Sequence, residues 1–136
     1  MNPMSDNLQK LFEAAIKVRE HSYSPYSKFP VGAALQTPDG AIFPATNVEN
    51  ASYPMGTCAE EGAISAMIAS GRRQIARIII VADGQGPVTP CGACRQRIRE
   101  FANSETIIHI GNLTGLTARF SLDALLPESF GPDNLR

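Results

Sequence analysis

Three cysteines constrain the fold of this chain more than any other feature of its sequence. Cys91 and Cys94 are separated by two residues, whereas Cys58 lies far upstream. If the cysteines formed disulfides, one of the three thiols would stay unpaired, whereas a single metal ion can bind all three thiolates. If the cysteines bind one ion, the fold must bring the segment around Cys58 against the Cys91–Cys94 segment.

The position of Glu60 indicates which kind of metal site these cysteines could form. Three protein ligands leave one position of a tetrahedral zinc ion open, and water bound there has a pKa of about 7. Glu60 lies two residues after Cys58, close enough to take a proton from that water without binding the metal. Spacing alone also permits a structural metal, a redox pair beside a buried thiol, core cysteines or a solvated helix acid. The carboxylate beside the three thiols favours a zinc hydrolase.

Composition and charge exclude several classes of protein. A length of 136 residues predicts a single domain over residues 1–136. Hydrophobic residues make up 43% of the chain, which is typical of a soluble globular protein. The formal net charge is -1 and the basic residues are scattered, so small neutral substrates suit the chain better than nucleic acid does. No apolar run reaches the about 20 residues of a membrane helix, and no secretory signal is evident. We therefore expect a cytoplasmic protein with reduced thiols and no membrane partner.

The hydrophobic pattern predicts an alternation of helices and strands. The predicted order is a helix at 6–20, a hairpin of strands 31–37 and 41–47, a helix at 58–70, a strand at 77–82, a helix at 94–102, a strand at 107–110, a turn at 111–115, a strand at 116–120 and a short helix at 122–126. This order predicts an α/β fold, a three-layer α/β/α sandwich around a mixed sheet of five strands. The short final turn favours antiparallel pairing of the last two strands.

Four segments resemble one enzyme family. Cys58-Ala59-Glu60 and the Pro-Cys-Gly-Ala-Cys-Arg-Gln run at 90–96 are similar to the motifs of the zinc-dependent cytidine deaminases. Residues 27–35 and 125–132 also resemble the short, homotetrameric nucleoside-deaminase branch. The resemblance extends from about residue 23 to about residue 132.

The resemblance implies an activity and a cofactor. Cys58, Cys91 and Cys94 would bind one Zn²⁺ per chain, and Glu60 would be the proton shuttle. The reaction would convert cytidine and 2′-deoxycytidine to uridine and 2′-deoxyuridine plus ammonia, in pyrimidine salvage. Zinc-bound hydroxide would attack C4 while Glu60 protonates ring N3 and then the leaving amine. The Cys91 N–H and the carbonyl of Thr89 or Ala59 would orient the base.

The resemblance also assigns residues around the substrate. Five positions match family residues that contact the nucleoside, and two match residues that reach the active site of a neighbouring subunit: Phe29, Asn47, Glu49, Ala59 and Phe130 in the first group, Ala51 and Tyr53 in the second. Asn47 and Glu49 would bind the ribose, and Phe29 and Phe130 would line the base pocket. Without the resemblance, Asn47 and Glu49 would be interpreted as a turn residue and a surface acid, and Phe29 as core.

One position departs from the family pattern. Family members usually place arginine directly after the shuttle glutamate, where it is thought to hydrogen-bond to the thiolates, but this chain has Glu61. We expect Glu61 to face away from the metal, with helix N-terminal N–H groups and another arginine such as Arg95 offsetting the thiolate charge. A large gain in turnover on Glu61→Arg would contradict this.

Two other functions remain possible at this stage. A deaminase of the same fold could act on another cytosine compound, such as the antibiotic blasticidin S. The chain could also be a zinc-stabilised binding module that has lost catalysis, with Glu61 as the first sign, although an intact Glu60 counts against this. His21 and His109 are expected to be structural or surface residues.

Overall fold

The computed structural model describes residues 4–136, and its centre is a mixed sheet of five strands. The elements are α1 (Asp6–Arg19), β1 (Val31–Gln36), β2 (Ile42–Thr46), α2 (Ala59–Ala69), β3 (Arg77–Ala82), α3 (Gly92–Phe101), β4 (Ile107–Asn112), β5 (Gly115–Ser121) and α4 (Leu122–Leu125), with single 3-10 turns at Tyr53–Met55 and Pro132–Asn134. The strand order is β2-β1-β3-β4-β5. Only β3 and β4 pair in parallel, and the predicted antiparallel pairing of β4 and β5 is confirmed.

Helices cover both faces of this sheet. On one face, Leu11 and Ala15 of α1 pack in a core cluster with Ile79 of β3. On the other face, Met67 of α2 and Ile98 of α3 belong to a larger cluster that includes the two residues of β3 on either side of Ile79. Alternate residues of each strand therefore point into different helical layers, as the strand period of two requires. The predicted three-layer α/β/α sandwich is confirmed.

One edge of the sheet gathers the segments that carry the cysteines. Val31 at the start of β1 pairs with Ala82 at the end of β3, and Gly32 pairs with Thr46 at the end of β2. The segments that follow β2 and β3 therefore leave the sheet side by side. The first leads to Cys58 and the second to Cys91.

The first helix lies close against β1. A Cβ built on Gly32 would lie 2.2 Å from the carbonyl oxygen of Ala15 and 2.8 Å from Cβ of Arg19. Such distances are far inside van der Waals contact, so only glycine permits this approach. In the described part of the chain, no helix is long and apolar enough to cross a membrane.

Most element boundaries differ from the sequence prediction by one or two residues. Helix α1 ends at Arg19, one residue before the predicted end, and Ser5 caps its start by accepting a hydrogen bond from the Leu8 amide. Helix α3 begins at Gly92, two residues before the predicted start. Strands β4 and β5 extend to a tight turn because the Asn112 side chain accepts hydrogen bonds from the next backbone amides, which is a common role of asparagine in turns.

Candidate active site

The three cysteines meet where α2 and α3 begin. Cys58 is the N-cap of α2, Cys91 is the N-cap of α3, and Cys94 lies in the first turn of α3. Their Sγ atoms all lie within 4.8 Å of one another, and none is in a disulfide. Tetrahedral zinc with Zn–S bonds of about 2.3 Å places sulfurs about 3.8 Å apart, so a small closure brings all three to one ion. The donor set and its spacing fit a zinc ion.

The environment of these thiols favours ionisation of one of them. A hydrogen bond from the Cys94 thiol lowers the pKa of Cys58 to about 6, although burial opposes this shift. The same contact raises the pKa of Cys94 above the usual thiol range, because Cys94 is then the donor to a thiolate. Both helix N-termini also direct the positive ends of their dipoles at the cluster. The site is therefore prepared to bind a cation.

Glu60 is a buried carboxyl group beside the cluster. It is the second residue of α2 and is 5% exposed. Burial raises the pKa of Glu60 to about 7, and the charge of Cys58 adds to this rise. A carboxyl group with a pKa near neutral can accept and donate protons at physiological pH.

A cleft of about 400 Å³ opens over Glu60 and the cysteines. That volume is typical of small-molecule sites. Its lining combines the cluster, the loop after β2 and the loop after β3: Val31, Asn47, Val48, Glu49, Tyr53, Gly56, Thr57, Cys58, Ala59, Glu60, Ile80, Val88, Thr89 and Cys91. Asn47, Glu49 and Ala59, predicted from the sequence, therefore lie in the same cleft as Glu60.

Asn47 joins several backbone segments at the rim of the cleft. Its Oδ1 accepts hydrogen bonds from the Val31 amide at 2.9 Å and from Ser22 Oγ at 2.6 Å. Its Nδ2 donates to the carbonyl of Phe29 at 3.0 Å. An amide nitrogen carries two N–H donors, so one remains for a ligand. Asn47 therefore has a structural role whatever it contributes to binding.

Glu49 is held in place by the preceding loop. Its carboxylate accepts hydrogen bonds from the backbone amides of Tyr26 at 3.0 Å and Ser27 at 3.1 Å, and from the Ser27 hydroxyl. The Ser27 hydroxyl bond is the largest cause of a lowered pKa for Glu49. Glu49 is therefore a fixed anion with lone pairs left to accept further hydrogen bonds. Sequence reasoning missed Ser27 as its partner, because the two are far apart in the chain.

The two phenylalanines predicted for the base pocket do not line this cleft. Phe29 lies against the loop after β3, where a Cβ on Gly84 would be 3.7 Å from its ring. Phe130 lies in the segment after α4, with its carbonyl accepting from Gln96 Nε2 at 2.8 Å, and it is 59% exposed. Within one chain, neither residue is part of the lining of the cleft over Glu60.

The two residues predicted to reach a neighbouring subunit lie in the exposed loop after β2. Ala51 is exposed and does not line the cleft, whereas Tyr53 lines the cleft of its own chain. The ring of Tyr53 packs against Tyr26 at a centroid distance of 5.7 Å. The loop therefore presents Tyr53 both to its own cleft and to the outside of the chain.

Arg95 does not contact the thiols, so the expectation that it offsets their charge was wrong. Its guanidinium donates to the Pro90 carbonyl at 2.7 Å, to Thr89 Oγ1 at 2.8 Å and to the Leu125 carbonyl at 2.7 Å. Each nitrogen is thus committed to an oxygen. Arg95 instead fixes the loop that leads into Cys91.

Glu61 forms an ion pair next to the cluster. Its carboxylate lies 3.6 Å from Nη2 of Arg97, whose Nη1 lies 3.8 Å from Sγ of Cys94. Sequence reasoning missed Arg97. The available signal was its spacing of three residues after Cys94, which places both on one side of a helix.

Comparison with known proteins identifies the family. Residues 5–110 match the model of the cytidine and deoxycytidylate deaminase zinc-binding region. The chain belongs to this deaminase family. Its defining region is a zinc-binding one, and zinc is the cofactor that the Cys58, Cys91 and Cys94 cluster can hold.

Individual relatives match over nearly their full length. The cytidine deaminase of Sporosarcina psychrophila is 43% identical over 129 residues, which are 95% of each chain. That of Halalkalibacterium halodurans is 42% identical over 93% of this chain and 96% of its own. The crystal structure of cytidine deaminase from Burkholderia pseudomallei superposes with a TM-score of 0.86 at 43% identity, covering 93% of this chain and all of that one. The similarity to cytidine deaminases thus covers more than nine tenths of the chain.

Proposed function

We propose that this chain is a zinc-dependent hydrolase that deaminates cytidine and 2′-deoxycytidine to uridine and 2′-deoxyuridine, with release of ammonia. One observation carries the proposal: buried Glu60 lies in the same cleft as Cys58 and Cys91, whose Sγ atoms converge with that of Cys94. The cytidine deaminases that match nearly the whole chain support the choice of substrate. A salvage role follows from free nucleosides being the substrates.

Glu60 would transfer both protons of the reaction. Zinc, when bound by the three thiolates, supplies a Lewis acid that acidifies the water in its open position. Glu60 takes one proton from the attacking water and delivers it to N3 of the base as oxygen adds to C4. It then carries the second proton to the amino nitrogen, which leaves as ammonia, and C4 becomes a carbonyl. The sum is addition of one water and loss of one ammonia.

Other residues of the cleft would hold the nucleoside in register with Glu60. The Cys91 amide and the carbonyls of Thr89 and Ala59 belong to residues that line the cleft next to the cluster. They would bind the polar edge of the base. The free N–H of Asn47 and the fixed carboxylate of Glu49 would bind the sugar hydroxyls at the rim.

Ammonia release from cytidine tests this function. The zinc-replete protein should release one ammonia for each uridine formed, and Glu60→Gln should lower kcat by about 10⁴-fold, at the top of the range for a positioned acid or base. Glu105→Gln, which removes an exposed carboxylate far from the cleft, is the control. If the wild-type protein binds one zinc per chain and still leaves cytidine unchanged, the proposal is wrong. Other cytosine compounds would then be screened as substrates.

We further propose that the chain forms a homotetramer whose subunits share their active sites. Support comes from Phe130, which is 59% exposed and does not line the cleft of its own chain. A neighbouring copy that covers this segment would bring the ring to its base pocket, with Ala51 and Tyr53 as further contacts between subunits.

Mixing two variants that damage the site in different ways tests the shared sites. Glu60→Gln lacks the proton shuttle but supplies Phe130, whereas Phe130→Ala supplies the shuttle but lacks the ring. Mixed tetramers made by co-expression should contain sites that have both groups and a wild-type KM for cytidine, whereas Phe130→Ala alone should show only the raised KM. No recovery of the wild-type KM in mixed assemblies, or a monomer in sedimentation, would contradict sharing.

Two broader expectations complete the proposal. Residues 1–136 would form one domain, which the single sheet containing all five strands supports. The protein would work in the cytoplasm, because three free thiols must stay reduced to bind zinc.

A further inference from the structure

The metal cluster has a charge that the protein must offset. Three thiolates on Zn²⁺ leave a net charge of about -1, which weakens the metal as a Lewis acid. Glu61 adds a further negative charge one residue after Glu60. A site built in this way needs a cation close to the sulfurs.

Arg97 is placed to supply that cation. Its Nη1 lies 3.8 Å from Sγ of Cys94, within hydrogen-bonding range for sulfur. Helix α3 carries Arg97 three residues after Cys94, so the two side chains share one helix face. The backbone of α3 thus fixes the distance between ligand and cation.

Glu61 holds the other side of the same guanidinium. Its carboxylate is 3.6 Å from Nη2 of Arg97, and the two side chains are 30% and 39% exposed, respectively. A guanidinium is a rigid planar fork, so a bond on one side orients the donors on the other. The ion pair between α2 and α3 therefore directs the Nη1 donor at Cys94.

The neighbouring arginines of α3 are committed elsewhere. Arg95 is bonded to three oxygens of the adjoining loops. Arg99 donates to Ser129 Oγ at 3.0 Å. Among the three arginines of this helix, Arg97 alone is bonded to a cysteine sulfur.

We propose that Arg97 is the cation that offsets the zinc thiolates, and that Glu61 is the positioning residue that holds it against Cys94. Donation to the Cys94 sulfur withdraws electron density from the ligand, which stabilises the charged complex and keeps the metal electron-poor. The consequence for turnover rests on the proposed function, but the consequence for zinc binding does not.

Zinc affinity is the first measurement. Chelator competition on Arg97→Gln should give a zinc Kd about tenfold weaker than that of the wild type, at the low end for residues that contact metal ligands because Arg97 is partly exposed. The control is Arg73→Gln, which removes an equal charge beyond the far end of α2, roughly 16 Å from its first turn. Arg73 bonds only backbone carbonyls, so its loss should leave the Kd unchanged. An Arg97→Gln protein with wild-type zinc affinity overturns the proposal.

A rescue variant separates charge compensation from mere packing. Glu61→Arg combined with Arg97→Gln supplies the cation from α2 instead of α3 and should recover most of the lost affinity. Arg97→Lys keeps the charge without the fork and should fall between wild type and Arg97→Gln. Circular dichroism checks that each variant folds. If Arg97→Gln does not fold, the lysine variant still decides, because a wild-type Kd there would exclude the oriented donor.

Two further readouts complete the test. In the cobalt-substituted protein, the thiolate-to-metal charge-transfer band should shift in Arg97→Gln and not in Arg73→Gln. With cytidine, kcat of Arg97→Gln should fall about tenfold while KM stays near the wild-type value. If the wild type binds zinc but releases no ammonia, the proposed function fails while the zinc and cobalt measurements still judge Arg97.

Discussion

The floor of the cleft and its rim are built in different ways. The floor consists of Cys58, Glu60, Cys91 and Cys94, on the first turns of two helices that pack against the sheet. The rim consists of Asn47, Glu49 and Tyr53, in loops held by hydrogen bonds to other loops. The floor is complete within one chain, whereas Phe130 lies outside the cleft. The proposed chemistry thus lies at the starts of packed helices and the proposed substrate contacts lie on loops.

The largest effect is expected from removing part of the floor. Cys94→Ser should lower zinc affinity and turnover by more than about 100-fold, since even residues that only contact metal ligands cost 10- to 100-fold. Ala93→Ser puts the same side chain at the exposed neighbouring position and should change little. Zinc content and ammonia release measure both. A Cys94→Ser protein that retains zinc and turnover would break the distinction between floor and rim.

A smaller effect is expected at the fixed anion of the rim. Glu49→Gln weakens its bonds to Ser27 and the sugar, so KM for cytidine should rise about 10- to 100-fold, the cost of losing hydrogen bonds to a charged group. Zinc affinity should not change, because Glu49 does not contact the cluster. Steady-state kinetics with zinc titration checks this. An unchanged KM would mean that Glu49 only shapes the loop.

Phe130 tests whether the rim extends to a second chain. Phe130→Ala should raise KM about tenfold, through loss of ring contact with the base, while the thermal stability of the subunit changes little because the ring is exposed. Kinetics and a thermal melt of the same sample separate the two effects. A large loss of stability with normal KM would place Phe130 in an interface without a role at the site.

The pH dependence of stability separates the effect of burial from the chemistry of the cleft. His109 is 4% exposed and lies on the α1 face of the sheet, away from the cleft. Burial lowers the pKa of His109 to about 4, with Arg77 and Arg119 contributing. The unfolded chain therefore binds an extra proton below about pH 6.5, so stability falls as the pH drops toward 4.

This term should amount to roughly 2 kcal/mol, after allowance for screening of the arginines by solvent. Urea unfolding of wild type and His109→Gln at pH 7.5 and pH 4.5 measures it as the difference in pH dependence, since zinc loss affects both proteins alike. If the free energy of unfolding changes equally with pH in both proteins, His109 does not contribute to the pH dependence of stability.

The sequence predicted the floor better than the rim for a physical reason. Cysteine spacing and helix starts are local, so the convergence of Cys58 with Cys91 follows once the strand order is known. Arg95 and Arg97 could not be told apart in this way, because both lie within one turn of Cys94. The two arginines differ because Arg95 donates a hydrogen bond to the carbonyl of Leu125, which lies in a distant part of the chain. The position of Phe130 outside the cleft likewise depends on contacts with other segments, such as the hydrogen bond from Gln96 to its carbonyl.

Arg95 connects the loop before Cys91 to the end of α4. From that end of α4 the chain continues to Phe130. In an assembly that uses Phe130 across an interface, a shift at one metal site would therefore move a wall of the neighbouring pocket. The subunits of such an assembly would then be coupled. The dependence of its activity on cytidine concentration would give a Hill coefficient different from one.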